Sequence, residues 1–151
     1  MKKTIQRLKN ERGLTLVELL AVIVILAIIA IIAFVFIGGV IDNSKKDAHI
    51  ANAQQIISAA KLYESTGGEF PTGKEAVKVS DLQDKDYLDV MLDPWTKEKY
   101  GTDATNATVT KEANGQFKIN NFKASDNNCS ITATEQELSQ NDRSDLCKQD
   151  E

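Results

Sequence analysis

Histidine is almost missing from this chain: His49 is the only one in 151 residues. With one imidazole, most acid–base schemes would have to rest on unusual carboxylates. His49 has no Cys-x-x-Cys partner, which argues against a zinc centre. Nucleophile elbows and His-Glu-x-x-His are absent. Gly68-Glu69-Phe70-Pro71-Thr72-Gly73-Lys74-Glu75 imitates the start of a phosphate loop, but Glu75 stands where a Ser or Thr would hold magnesium. Glu69 would also face phosphate, and the segment follows a helical pattern rather than a strand. These absences point away from an enzyme and from a resident cofactor. A further absence is positive information. From Leu19 to Ile41 there is no ionisable side chain and no proline.

Those 23 residues would span ~35 Å as a helix, enough to cross a hydrocarbon core of ~30 Å. The first thirteen residues hold Lys2, Lys3, Arg7, Lys9 and Arg12 against a single acid, Glu11. Beyond the apolar run Lys45 and Lys46 are offset by Asp42 and Asp47. The bias places the N-terminus in the cytoplasm and the rest of the chain outside. A secretory signal peptide has a shorter apolar core and a small-residue cleavage site after it. Here the run is too long, and residues 31–40 hold no Ala-x-Ala. A plain single-pass anchor explains length and charge but leaves Glu18 at the head of the span without a use. A carboxylate costs ~2.5–3.5 kcal/mol at the centre of a span and less near the interface. Glu18 is either an interfacial bystander among headgroups or a functional group.

Gly13-Leu14-Thr15-Leu16-Val17-Glu18, running into the apolar helix behind a basic leader, resembles the class III signal of type IV pilins and pseudopilins. The resemblance implies cleavage between Gly13 and Leu14 by a prepilin peptidase, methylation of Leu14, and retention of the helix on the mature subunit. Leu14 stands where the family often has Phe. Val35 stands where it often has a helix-kinking Pro, which leaves Gly38-Gly39 as the only local candidate for a kink. The match covers roughly the first 30 mature residues. In the family's filaments the glutamate of one subunit is thought to meet the new amine of a neighbour. Two unit charges at ~4 Å attract by roughly 4 kcal/mol at an effective dielectric of ~20, and leaving either unpaired in an apolar bundle is costly. Glu18 would then set the axial register of an incoming subunit.

The expected organisation is a cleaved leader (1–13), a transmembrane and filament-core helix (14–41), its amphipathic continuation (42–66), and a small extracellular sheet domain (67–151). Ile41, Ala48, Ala51, Gln55, Ile56, Ala59, Leu62 and Tyr63 recur at roughly 3–4-residue spacing, which predicts one stripe to be covered by a partner surface. Gly67-Gly68 and Pro71 predict the end of the helix. The fold class expected is α+β, pilin-like: one long helix packed on a small antiparallel sheet. A short helix is expected to start near Ser80-Asp81, and Asp93-Pro94-Trp95 reads as a turn carrying an aromatic toward the core. That turn also looks like those of major pseudopilins and of pilins of simple secretion and competence systems. A hairpin with the three-residue loop Ala113-Asn114-Gly115 sets Ile119 opposite Val109 and Phe117 opposite Lys111, preserving the apolar alternation. One or two helical turns are expected around Thr134 to Ser139.

Cys129 and Cys147 both follow the span. An even count on an oxidising side favours a disulfide over two free thiols, and the pair resembles the disulfide-bounded C-terminal region of many type IV pilins. Asp81, Asp84, Asp86, Asp89 and Asp93 form either a solvated acidic face or a calcium site, as in some major pseudopilins, with Asp89 and Asp93 the candidates. Asn106-Ala107-Thr108 and Asn128-Cys129-Ser130 match glycosylation sequons by pattern only. The formal charge of −4 becomes −8 without the leader, which argues against nucleic-acid binding along a shaft.

The resemblance implies a structural subunit that polymerises with itself as a helical homopolymer. It implies partners in the prepilin peptidase and methylase, the membrane, an assembly platform and minor pilins. The protein would sit single-pass in the cytoplasmic membrane and then in an extracellular filament. Two other readings stand beside it: a pseudopilin of a DNA-uptake or secretion machine, and a membrane-anchored extracellular binding domain.

Overall fold

The structure, a computed structural model, describes residues 2–70, 76–125 and 128–148, with side chains described from Thr15 onward. Pro71 and the latter part of the phosphate-loop look-alike lie outside the described residues. The chain divides into two compact units, Met1–Ile41 and Asp42–Glu151. Helix α1, Lys2–Ser65, contributes residues to both. It runs through Gly38-Gly39 without interruption. Glycine weakens a helix by roughly 1 kcal/mol relative to alanine but does not remove a hydrogen bond as proline would.

In the first unit every large apolar side chain from Leu16 to Ile41 is 49 to 84 % exposed. Among the described residues, α1 is the one helix long and apolar enough to cross a membrane.

The second unit has its own core. Helix α1 ends at Ser65 in a glycine-based cap. The Gly67 N–H donates to the Glu64 carbonyl at 3.1 Å and the Gly68 N–H to the Tyr63 carbonyl at 2.9 Å. This is the Schellman pattern, and Gly67 takes the left-handed φ of +95° that it requires. A Cβ on Gly68 would lie 2.5 Å from the Tyr63 ring, so the cap is closed by that aromatic as well.

After the cap come β1 (Val77–Lys78), α2 (Val79–Asp84), α3 (Thr102–Thr105), β2 (Thr108–Lys111), β3 (Phe117–Lys123), β4 (Ser130–Thr134), α4 (Glu135–Gln140) and α5 (Arg143–Leu146). The strands form one sheet in the order β1-β2-β3-β4, every neighbouring pair antiparallel. The fold is therefore α+β and pilin-like, a long N-terminal helix packed on a small antiparallel sheet. Val109 pairs with Ile119 and Lys111 with Phe117. The loop is Ala113-Asn114-Gly115, and Gly115 adopts φ +84°. Its N–H donates to the Glu112 carbonyl at 2.9 Å.

Strand β3 contains a phase problem. Phe117 and Ile119 face inward, and strict alternation would send Asn121 in next and Phe122 out. A bulge between Ile119 and Phe122 resolves this, because two residues of β3 oppose one of β4 there. Asn121 takes φ +56°, a conformation Asn tolerates better than most residues. Its N–H donates to Thr132 Oγ1 at 3.0 Å. Phe122 then returns to the core, fully buried with Ile119, Val109 and Ile131.

The buried stripe of α1 differs from the one the spacing predicts. Of the predicted stripe, Ile56 and Ala59 are buried and Tyr63 packs half-buried on the core, whereas Ala48, Ala51, Gln55 and Leu62 are exposed; His49, Ala53, Ile57 and Ala60 are buried in addition. Alanine carries little information about which face is covered. The buried stripe is also anchored by a histidine, which an apolar template leaves out.

Candidate functional site

Glu18 is exposed on α1, with Leu16, Val17, Leu19 and Leu20 around it, also exposed. No ionisable side chain follows it until Asp42. Among the described residues it has no charged partner. Gly13 and Leu14 precede the residues whose side chains are described. What this end of the molecule offers is one carboxylate at the head of a continuous apolar surface.

The C-terminal segment is a second built feature. Cys129 and Cys147 are joined by a disulfide, with Cα atoms 4.8 Å apart. Next to it, the N–H of Ser130 donates to the Lys148 carbonyl at 2.8 Å. The enclosed segment lies along α1 through three contacts spaced seven residues apart on the helix. Arg143 donates to both carboxylate oxygens of Asp47, at 2.8 and 3.0 Å. Gln54 Nε2 donates to the Leu138 carbonyl at 3.0 Å, and Lys61 pairs with Glu135. A heptad interval returns to nearly the same face of a helix, so one side of α1 carries the whole segment. Leu138 and Leu146 are buried beneath it. Helix α4 begins in a capping box: Thr134 Oγ1 accepts from the Glu137 N–H, and the Glu137 carboxylate accepts from the Thr134 N–H at 2.7 Å. That Thr-x-x-Glu signature was readable in the sequence; the pairing of Asp47, Gln54 and Lys61 with this segment was not.

Of the two calcium candidates, Asp89 is exposed and Asp93 is fully buried. The Asp93 carboxylate is already engaged. Oδ1 accepts from the Trp95 N–H and Oδ2 from the Ser125 N–H, each at 2.7 Å. Burial disfavours its charge, but the N–H groups of Ser125 and Trp95 outweigh that and hold the carboxyl below its ordinary range. Asp93 thus ties its own turn to the β3–β4 connection. No group of three or more potential metal ligands occurs among the described residues. Trp95, on the same turn, sits half-buried at the edge of the core.

Residues 8–34 match the family model described as the prokaryotic N-terminal methylation motif. That motif is the class III signal of type IV pilins and pseudopilins, and with the apolar helix and the fold it marks this chain as a type IV pilin- or pseudopilin-like protein. The motif implies processing by a prepilin peptidase and points to a structural protein. No curated protein and no solved structure matches the chain.

Proposed function

We propose that this protein is the structural subunit of a type IV pilus-like filament. It polymerises through α1 once the leader is cut between Gly13 and Leu14 and Leu14 is methylated. The observation that carries this reading is the apolar surface of Leu16 to Ile41, exposed on every side and headed by the methylation motif and Glu18. Such a surface is stable only in lipid or against other apolar helices. The bilayer serves before assembly, and neighbouring copies of α1 serve afterwards. In that bundle Glu18 meets the cationic amine of an adjacent subunit, because an uncompensated charge would be strongly destabilising there. The second unit is then displayed outside, with the disulfide closing its C-terminal edge in an oxidising compartment.

A second reading is favoured by the Asp93-Pro94-Trp95 turn, whose sequence looks like that of major pseudopilins. There the same polymerisation would drive a secretion or DNA-uptake machine rather than build a long fibre. Filament abundance on cells separates the two. The intact mass of the native protein tests both: it should correspond to residues 14–151 plus one methyl group. A native mass that includes residues 1–13 would overturn them and leave a membrane-anchored extracellular domain.

A further inference from the structure

His49, the only histidine, is fully buried, and each ring nitrogen has a partner. Nδ1 lies 2.6 Å from Tyr100 Oη and Nε2 lies 3.3 Å from the Phe122 carbonyl. A carbonyl can only accept, so Nε2 carries the hydrogen and Nδ1 is bare. Nδ1 therefore accepts from the Tyr100 hydroxyl, whose oxygen accepts in turn from Asn52 Nδ2 at 3.0 Å. The chain of donors is complete only with a neutral imidazole. The ring stacks on Phe122 with centroids 4.4 Å apart and planes 7° from parallel. Trp95 meets it edge-on at 5.9 Å and Tyr100 lies at 5.6 Å. One side chain of α1 thus holds both β3 and the segment Asp93–Tyr100.

We propose that His49 is an acid-sensitive latch, and that its protonation loosens α1 from β3 and from the Asp93–Tyr100 segment. A proton on Nδ1 would point a second donor at the Tyr100 oxygen. The tyrosine would have to turn its own hydrogen away while Asn52 still donates to that oxygen. The rings packed around the imidazole leave the new charge poorly solvated. Of the ionisable groups on the packed elements, Asp93 attracts the charge through space. Tyr100, in contact, is itself pushed upward by burial and stays a neutral phenol. Lys45 and Lys46 precede His49 on α1, Lys97 and Lys99 lie on the segment bearing Tyr100, and Lys123 follows Phe122 on β3, and none of these cations favours protonation; the acids on the same elements, Asp47 and Glu98, are exposed to solvent, and Asp47 is paired with Arg143. Burial wins over the Phe122 carbonyl and Asp93, and the imidazole falls from 6.5 to about 4.

The sign follows from linkage. Above pH 6.5 the latch is intact. Between 6.5 and about 4 the released form binds a proton that the closed form refuses, so opening gains about tenfold per pH unit. Below about 4 both forms are protonated and this group adds nothing further.

Two singular residues make the test direct. Trp95 is the only tryptophan, so emission reports the latch, and the one imidazole gives unambiguous proton resonances. The full chain in detergent micelles is titrated from pH 7.5 to 3.5. The expected result is a reversible one-proton change in Trp95 emission between pH 6.5 and 4, with the imidazole neutral above about pH 5. His49→Gln can still donate to the Phe122 carbonyl and accept from Tyr100, and it should lose that step. If that variant fails to fold, the wild-type resonances decide alone. An imidazole titrating near 6.5 with Trp95 unchanged overturns the latch. So does one titrating near 4 without any change at Trp95, or a His49→Gln variant that keeps the step.

Discussion

Ile29 and Ile56 are the same residue on the same helix, yet the first is 56 % exposed and the second fully buried. The contrast separates the two units. Around Ile29 the chain offers one uniform apolar surface and leaves its covering to lipid or to other copies. Around Ile56 it supplies the cover itself, from a four-stranded sheet and a disulfide-closed segment. On the proposed function, uniformity suits a surface that would first face acyl chains in every direction and later other helices. The second unit must fold once and stay folded, so its helix face, strand register and caps are each specified by particular residues.

The contrast can be broken most severely at Glu18. Glu18→Val should still insert and be processed, since the span becomes more apolar, but filament yield should fall to near zero. Normal yield of sheared filaments from cells carrying only this variant would show an interfacial bystander. Truncating the two isoleucines comes next. Ile56→Ala should destabilise the second unit by ~2–5 kcal/mol, and Ile29→Ala should leave its urea midpoint unchanged, because Ile29 belongs to the first unit and is not part of the second unit's core. Equal losses from the two changes would mean that the units do not fold separately.

Cys129→Ser removes a cross-link that encloses β4, α4 and α5. The chain-entropy model gives ~3 kcal/mol for a loop of this size. The expected signature is a lower midpoint with early proteolysis between Ser130 and Cys147, while the helix still inserts. Uniform protection of that segment without the bridge would refute the assignment. The smallest effect is expected at Gly115→Ala, where φ is +84°. Left-handed backbone costs a non-glycine residue roughly 1–2 kcal/mol. Open space around the site adds no clash, so a loss beyond that range in thermal unfolding would point to some other cause.

Much of the fold was legible because local rules coincided with it. Glycines at 67 and 68 closed the helix as a Schellman cap needs. Gly115 selected the loop, and the loop selected the register that Val109 and Ile119 also required. The edges were harder to read. Strand β1 has two residues, and β4 reads Ser-Ile-Thr-Ala-Thr, whose alternation is too weak to separate from a polar loop. The stripe on α1 was right at Ile56 and Ala59 and wrong at Ala48, Ala51, Gln55 and Leu62, which are exposed. Asp93 read as a surface acid because nothing local shows that two backbone N–H groups will take both its oxygens.

The sequence by itself determined the span, the methylation motif, the isolated Glu18 and the hairpin, since each depends on hydrophobic length, charge or backbone freedom within a few neighbouring residues. The tertiary structure decided which face of α1 is buried, that Asp47, Gln54 and Lys61 receive the C-terminal segment, and that His49 meets Tyr100 and Phe122, 51 and 73 residues away. Those outcomes depend on groups brought together only by folding. A buried polar atom is stable only when a distant partner satisfies it.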